Sequence, residues 1–89
     1  MKKSMLDILA CPIDKHYPLE LIEMQSKDDN VIDGLLVCTK CNRYYPIMEE
    51  IPVMLPDELR KKIEDLEFLH KWQSRIPEKV IKQGNPWHL

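Results

Sequence analysis

Hydrophobic and polar positions change period partway along this 89-residue chain. From Leu19 to Met24, Glu20 and Glu23 break up an otherwise apolar run, a partial alternation that predicts a strand. Gln25 to Asn30 is polar and reads as a turn or short loop. Val31 to Cys38 returns as a second strand, with a bulge or turn signal at Asp33-Gly34. Two such runs around a polar turn make an antiparallel hairpin. Tyr44–Ile47 predicts a third strand, Glu49-Glu50 an acidic turn and Pro52–Met54 a short fourth strand. Proline has no N–H to donate, so Pro46 and Pro52 place this pair at a sheet edge rather than in a doubly paired position. Ahead of the sheet, Ser4–Ala10 predicts one or two helical turns with Ser4 as N-cap. Pro12 stops them by disfavouring the α region at Cys11. After Pro56 the period lengthens to that of a helix, and Asp57 and Glu58 suit its positive end. Leu59, Ile63, Leu66 and Leu69 share one face, with Phe68, Trp72 and Ile76 as a neighbouring stripe. Together they cover more circumference than a core-facing helix of a small domain needs. Pro77 ends or kinks this helix, Glu78–Gln83 adds one turn, and residues 84–89 read as an extended tail.

The predicted class is α+β: a small antiparallel sheet of about four strands, a short N-terminal helix and a longer C-terminal helix. Residues 1–55 form the sheet domain and 56–89 the helix and tail. A chain this short buries roughly 60–65% of its unfolded surface, so a metal, a disulfide or a partner would help to hold it together. An apolar strand with an unpaired edge invites a second chain. Partner binding is therefore the leading expectation.

Charge narrows the classes further. The net charge is −2, from 13 basic and 15 acidic side chains, which argues against binding nucleic acid by charge alone. Residues 1–55 carry 6 Lys/Arg against 9 Asp/Glu, and residues 56–89 carry 7 against 6. Lys61, Lys62, Lys71, Arg75, Lys79 and Lys82 lie near Trp72, so direct RNA binding by a free-standing domain is the alternative function. The simpler reading is a solvated helix face balanced by Glu64, Asp65 and Glu67. No long apolar run follows the N-terminal lysines, and none is long enough to span a membrane. A soluble, cytoplasmic protein is expected.

Cys38 and Cys41 form a Cys-x-x-Cys knuckle, and Cys11 begins a second at Cys11-Pro12, where Asp14 stands in the place of its other cysteine. The spacing is that of a zinc ribbon. A zinc site would use Cys11, Cys38 and Cys41 with Asp14 as fourth ligand, or His16 two residues further on. With Asp14 there, a metal-free cluster filled by apolar packing is the leading expectation and zinc the alternative. A redox role is disfavoured, because the Cys-x-x-Cys leads into a strand rather than opening a helix. His16, His70 and His88 are scattered, with no nucleophile paired to them. The two glycines are far apart, so there is no phosphate loop. No catalytic residue and no cofactor of the chain's own are expected.

The blocks Met5-Leu6-Asp7-Ile8-Leu9-Ala10-Cys11-Pro12, Gly34-Leu35-Leu36-Val37-Cys38-x-x-Cys41, Tyr45-Pro46-Ile47 and Ile51-Pro52-Val53-Met54-Leu55 occur in this order. They resemble the small methyltransferase-activator family, whose members are shared, non-catalytic subunits of S-adenosylmethionine-dependent methyltransferases acting on tRNA, ribosomal RNA and a translation release factor. The resemblance covers residues 4 to about 60. It implies a zinc-ribbon-like domain that adds a strand to the enzyme's sheet, covers an apolar patch as a heterodimer and meets RNA only through its partner. Carried over, the partner surface comprises Met5, Leu6, Ile8, Leu9, Tyr45, Ile47, Ile51, Pro52, Val53, Met54 and Leu55. Asp14 departs from the zinc-binding members.

Overall fold

The structure is a computed structural model that describes all 89 residues. Its centre is a four-stranded antiparallel sheet in chain order: β1 (Glu20–Lys27), β2 (Asn30–Val37), β3 (Tyr44–Met48) and β4 (Ile51–Pro52). The predicted α+β class and its four strands are thus present. Lys27 pairs with Asn30 across the first turn and Met48 with Ile51 across the second. Glu49 and Glu50 both have positive φ, the left-handed geometry of a two-residue hairpin that follows the strand twist.

Both faces of the sheet are covered, which explains the unbroken apolar run Leu35-Leu36-Val37. On the first face, Val31, Leu36, Tyr45 and Ile47 pack with Met1, Cys11, Leu19 and Cys38, flanked by Met5, Leu6, Leu9 and Met54. On the second, Met24, Leu35, Val37 and Tyr44 pack with Phe68, Leu69, Ile76 and Val80. The C-terminal segment supplies that second cover through α1 (Lys62–Trp72) and α2 (Glu78–Gln83).

Three local expectations need correcting. The N-terminal segment is a 3₁₀ turn over Lys3–Asp7 preceded by Lys2, and Ser4 does not cap it. The i→i+3 bonds Met5 N–H to Lys2 O and Ile8 N–H to Met5 O suit so short a piece. Pro46 lies in β3, which is paired on both sides. Its nitrogen faces β4 just where that strand ends, so only one bond, from Val53 N–H to Pro46 O at 2.8 Å, crosses there. The helix after Pro56 is also broken. A 3₁₀ turn at Asp57–Leu59 is followed by extended Arg60, and α1 starts at Lys62. The break lets the Arg60 guanidinium turn inward, 4.8 Å from the Tyr44 ring centre and 5.3 Å from that of Tyr45, to pair with Asp65 at 2.9 Å. Asp65, read from the sequence as a solvated acid, is buried.

The tail folds back. Asn85 N–H bonds Asn42 O, Asn85 Nδ2 bonds Cys41 O, and Tyr44 OH donates to Trp87 O at 2.8 Å. Arg43 forks onto both Asp57 oxygens at 3.0 and 2.8 Å and holds that carboxyl below its ordinary range. Its folded pKa lies below the unfolded value near 3.9. The pair therefore stabilises above about pH 4 and fades as pH falls through the depressed value. Asp57→Asn is expected to cost about 1 kcal/mol at pH 7, the modest figure suited to a half-exposed pair. It should also flatten the acid limb, read from urea midpoints at pH 7 and pH 3. An acid limb of unchanged steepness would contradict this.

Candidate functional site

Two features stand out, a thiol cluster on the first face and an open strand edge beside it. The cluster is built by two loops of the same backbone form. Lys15 N–H bonds Cys11 O and Cys11 N–H bonds His16 O. Asn42 N–H bonds Cys38 O and Cys38 N–H bonds Arg43 O. Lys15 and Asn42, each four residues past the first cysteine of its loop, both have positive φ. Cys11–Asp14 is therefore a knuckle in all but its last ligand, and Asp14 stands where Cys41 stands in the other.

The ligand atoms of Cys11, Asp14, Cys38 and Cys41 lie within 4.8 Å of one another. Cys11 Sγ is 3.8 Å from Cys41 Sγ, and Cys38 Sγ is 3.5 Å from Asp14 Oδ2. A tetrahedral zinc with sulfurs at about 2.3 Å holds them about 3.8 Å apart. The four residues fit such an ion and can bind a metal. His16 turns away to Thr39 Oγ1 at 3.2 Å and lies outside this cluster. The environments of the four differ. Burial pushes the Cys38 thiol up to about 11. At Cys11, burial is outweighed by the Tyr45 hydroxyl at 3.1 Å and the Asp14 and Ile13 N–H groups, so its pKa falls. The His16 N–H holds Asp14 at about 2.

The sheet treats its two edges differently. On β1 the register slips between Glu23 and Gln25, and Arg75 donates to the Met24 carbonyl left there at 2.7 Å. A bulge and a covering cation are common devices for blunting an edge. On β4 no further strand pairs, and the folded-back tail is bound elsewhere, at the second knuckle and α1. Ile51 is 64% exposed, and Pro52, Val53, Met54 and Leu55 are partly or largely accessible. Met5, Leu6 and Leu9 are half-buried and pack on the same cluster as Met54, while Ile8 is 79% exposed. Nine of the eleven residues expected on a partner surface thus have accessible area. Tyr45 and Ile47 do not. Both are fully buried under the N-terminal segment, so they support the surface from beneath and cannot touch a partner.

Sequence reasoning missed Arg60, which tethers the region after β4 to the core, and the Asp65–Trp87 contact at 3.0 Å. Neither has a local signal. The basic residues offered for RNA binding are largely engaged. Arg75 caps β1, Lys79 pairs with Glu20 and Lys82 with Glu78. No helix is long and apolar enough to cross a membrane.

A small antiparallel sheet with two facing knuckles is a zinc-ribbon-like domain. Residues 2–50 match the family model for Trm112p-like proteins, and the chain belongs to that family. It is 39% identical over 61 residues to a UPF0434 protein of Nitrosococcus oceani, spanning 68% of this chain and 88% of that one. A UPF0434 protein of Coxiella burnetii is 41% identical over 64 residues, 72% of this chain and 98% of the relative. Among solved structures, the Haloferax volcanii Trm112 methyltransferase activator, in complex with a methyltransferase, superposes with a TM-score of 0.64 at 42% identity. The match covers 67% of this chain and 100% of that one.

Proposed function

We propose that this chain is a non-catalytic subunit that activates and stabilises an S-adenosylmethionine-dependent methyltransferase acting on tRNA, ribosomal RNA or a release factor. The observation that carries the reading is the open β4 edge with its apolar border, in a chain similar to an activator that assembles with a methyltransferase. Residues 1–55 are the partner-binding part, and 56–89 brace the sheet from behind. The enzyme's edge strand pairs along β4, while Met5, Leu6, Ile8, Leu9 and Ile51–Leu55 cover an apolar patch. Backbone bonds give affinity, and the flanking side chains give specificity. Met5 and Met54 can repack against more than one enzyme. The cytoplasm is the compartment this role implies. Affinity capture from native extract tests the reading. A methyltransferase recovered in equal amount, able to bind S-adenosylmethionine, is expected, and repeated recovery of the chain alone would overturn it.

Zinc, where bound, would be held by Cys11, Asp14, Cys38 and Cys41 and would tie the two knuckles together. The fold does not hang on it, because apolar clusters cover both faces of the sheet. Chelator treatment is expected to leave the circular dichroism spectrum intact and to lower the Tm by no more than about 8 °C, equivalent to about 1 kcal/mol. Unfolding on chelation would contradict this.

A further inference from the structure

Between the second face of the sheet and α1 lies an open groove of about 430 Å³. Met48, Phe68 and Trp72 form its apolar floor. Asp33, Glu49, Glu64 and Glu67 set four carboxylates around it, against one cation, Lys71. Residues 64, 67, 68, 71 and 72 recur at helical spacing, so one face of α1 is turned to the groove. Its acids are poorly neutralised. Asp33, Glu49 and Glu67 make no ion pair, and Lys61 approaches Glu64 only to 4.0 Å. The Lys71 ammonium rests 5.1 Å from the Trp72 ring centre. The ring already attracts a cation, and an exposed lysine is readily displaced.

An aromatic floor under a ring of carboxylates suits a cation on an aliphatic stem. The stem lies on Met48 and Phe68, and the head sits between the Trp72 face and the acids. An anionic ligand would be repelled. The groove is also continuous with β4, since Met48 pairs with Ile51 and Glu49 begins the turn between them. A strand of two residues is too short to set register by itself, and charge complementarity beside it can do so.

We propose that this groove receives an arginine or lysine side chain of the methyltransferase that docks along β4, fixing the register of the added strand. This rests on the activator reading and gives it a second, electrostatic contact. Two measurements test it. In an NMR titration with N-acetyl-arginine amide, the Trp72 indole N–H is expected to shift saturably while that of Trp87 stays put. The shift should disappear in the Glu64→Gln/Glu67→Gln variant, whose two positions are solvent-exposed. No saturable shift, or the same shift in the variant, overturns the proposal. In the complex, Glu64→Lys/Glu67→Lys is expected to weaken binding by about tenfold and to reduce its salt dependence. Unchanged affinity and salt dependence overturn the groove contact. If Ile51→Asp still breaks that complex, the activator reading stands without the groove. If it does not, the enzyme docks away from β4, and the groove contact falls together with the β4 surface.

Discussion

Replacing Ile51 and Val53 together by aspartate is expected to raise the dissociation constant of the chain–methyltransferase complex by more than about a hundredfold. Ile51 is the most exposed residue of the open edge, and Val53 continues it beyond β4 with its N–H already committed to Pro46. In a sealed interface each aspartate would carry the desolvation cost of a buried charge in place of an apolar contact. The free chain loses little, since neither residue belongs to the fully buried core. Its circular dichroism spectrum should be unchanged and its Tm within a few degrees of the parent. Calorimetric titration of both chains checks the prediction. Undiminished affinity would show that the enzyme sits elsewhere.

The largest expected effect on stability lies on the opposite side of the sheet. Asp65→Ala is expected to cost about 3–5 kcal/mol, the usual penalty for removing one partner of a buried ion pair. A domain of this kind has a total of about 5–15 kcal/mol. The Arg60 side chain is 3% exposed, and its two terminal nitrogens have no hydrogen-bond partner. Asp65 answers its Nε, and the rings of Tyr44 and Tyr45 stabilise the charge from their faces. The same carboxylate accepts the Trp87 indole N–H, so one substitution also frees the tail. The urea midpoint should fall with an unchanged slope. The Arg60→Met/Asp65→Leu pair, which removes both charges and keeps the volume, should recover most of the loss. A single variant within 1 kcal/mol of the parent would refute this account.

The strands were legible because alternation and turn chemistry are local properties. Leu19–Met24, the polar turn and Val31–Cys38 each carry their own signal, and so does the Glu49-Glu50 turn. Pro46 misled because a proline records only that a donor is missing. It says nothing about whether the facing strand is long enough to need one. Of the residues that the resemblance offered as a partner surface, Ile51–Leu55 and Met5, Leu6, Ile8 and Leu9 have accessible area. Tyr45 and Ile47 were placed on that surface by the resemblance alone; they stand in an unbroken apolar run, and packing beside Met5, Leu6 and Leu9 makes them interior. The spacing placed Asp14 in the thiol cluster, while the shared left-handed turns at Lys15 and Asn42 show that its loop is a knuckle. The Arg60–Asp65–Trp87 network had no precursor in the pattern, since Asp65 reads as one more acid on a charged helix. Its burial depends on a tail that meets α1 from 22 residues away in sequence.

Activation requires the enzyme's cofactor-competent state to bind this chain more tightly than the alternative state does. Linkage then obliges the cofactor to tighten the complex by the same factor. The deciding measurement is the affinity of the captured methyltransferase for S-adenosylmethionine, with and without the chain, beside the affinity of the chain with and without S-adenosylmethionine. Both should tighten by equal factors, on the order of tenfold. Cofactor binding by the lone enzyme at the same affinity as in the complex would contradict the account.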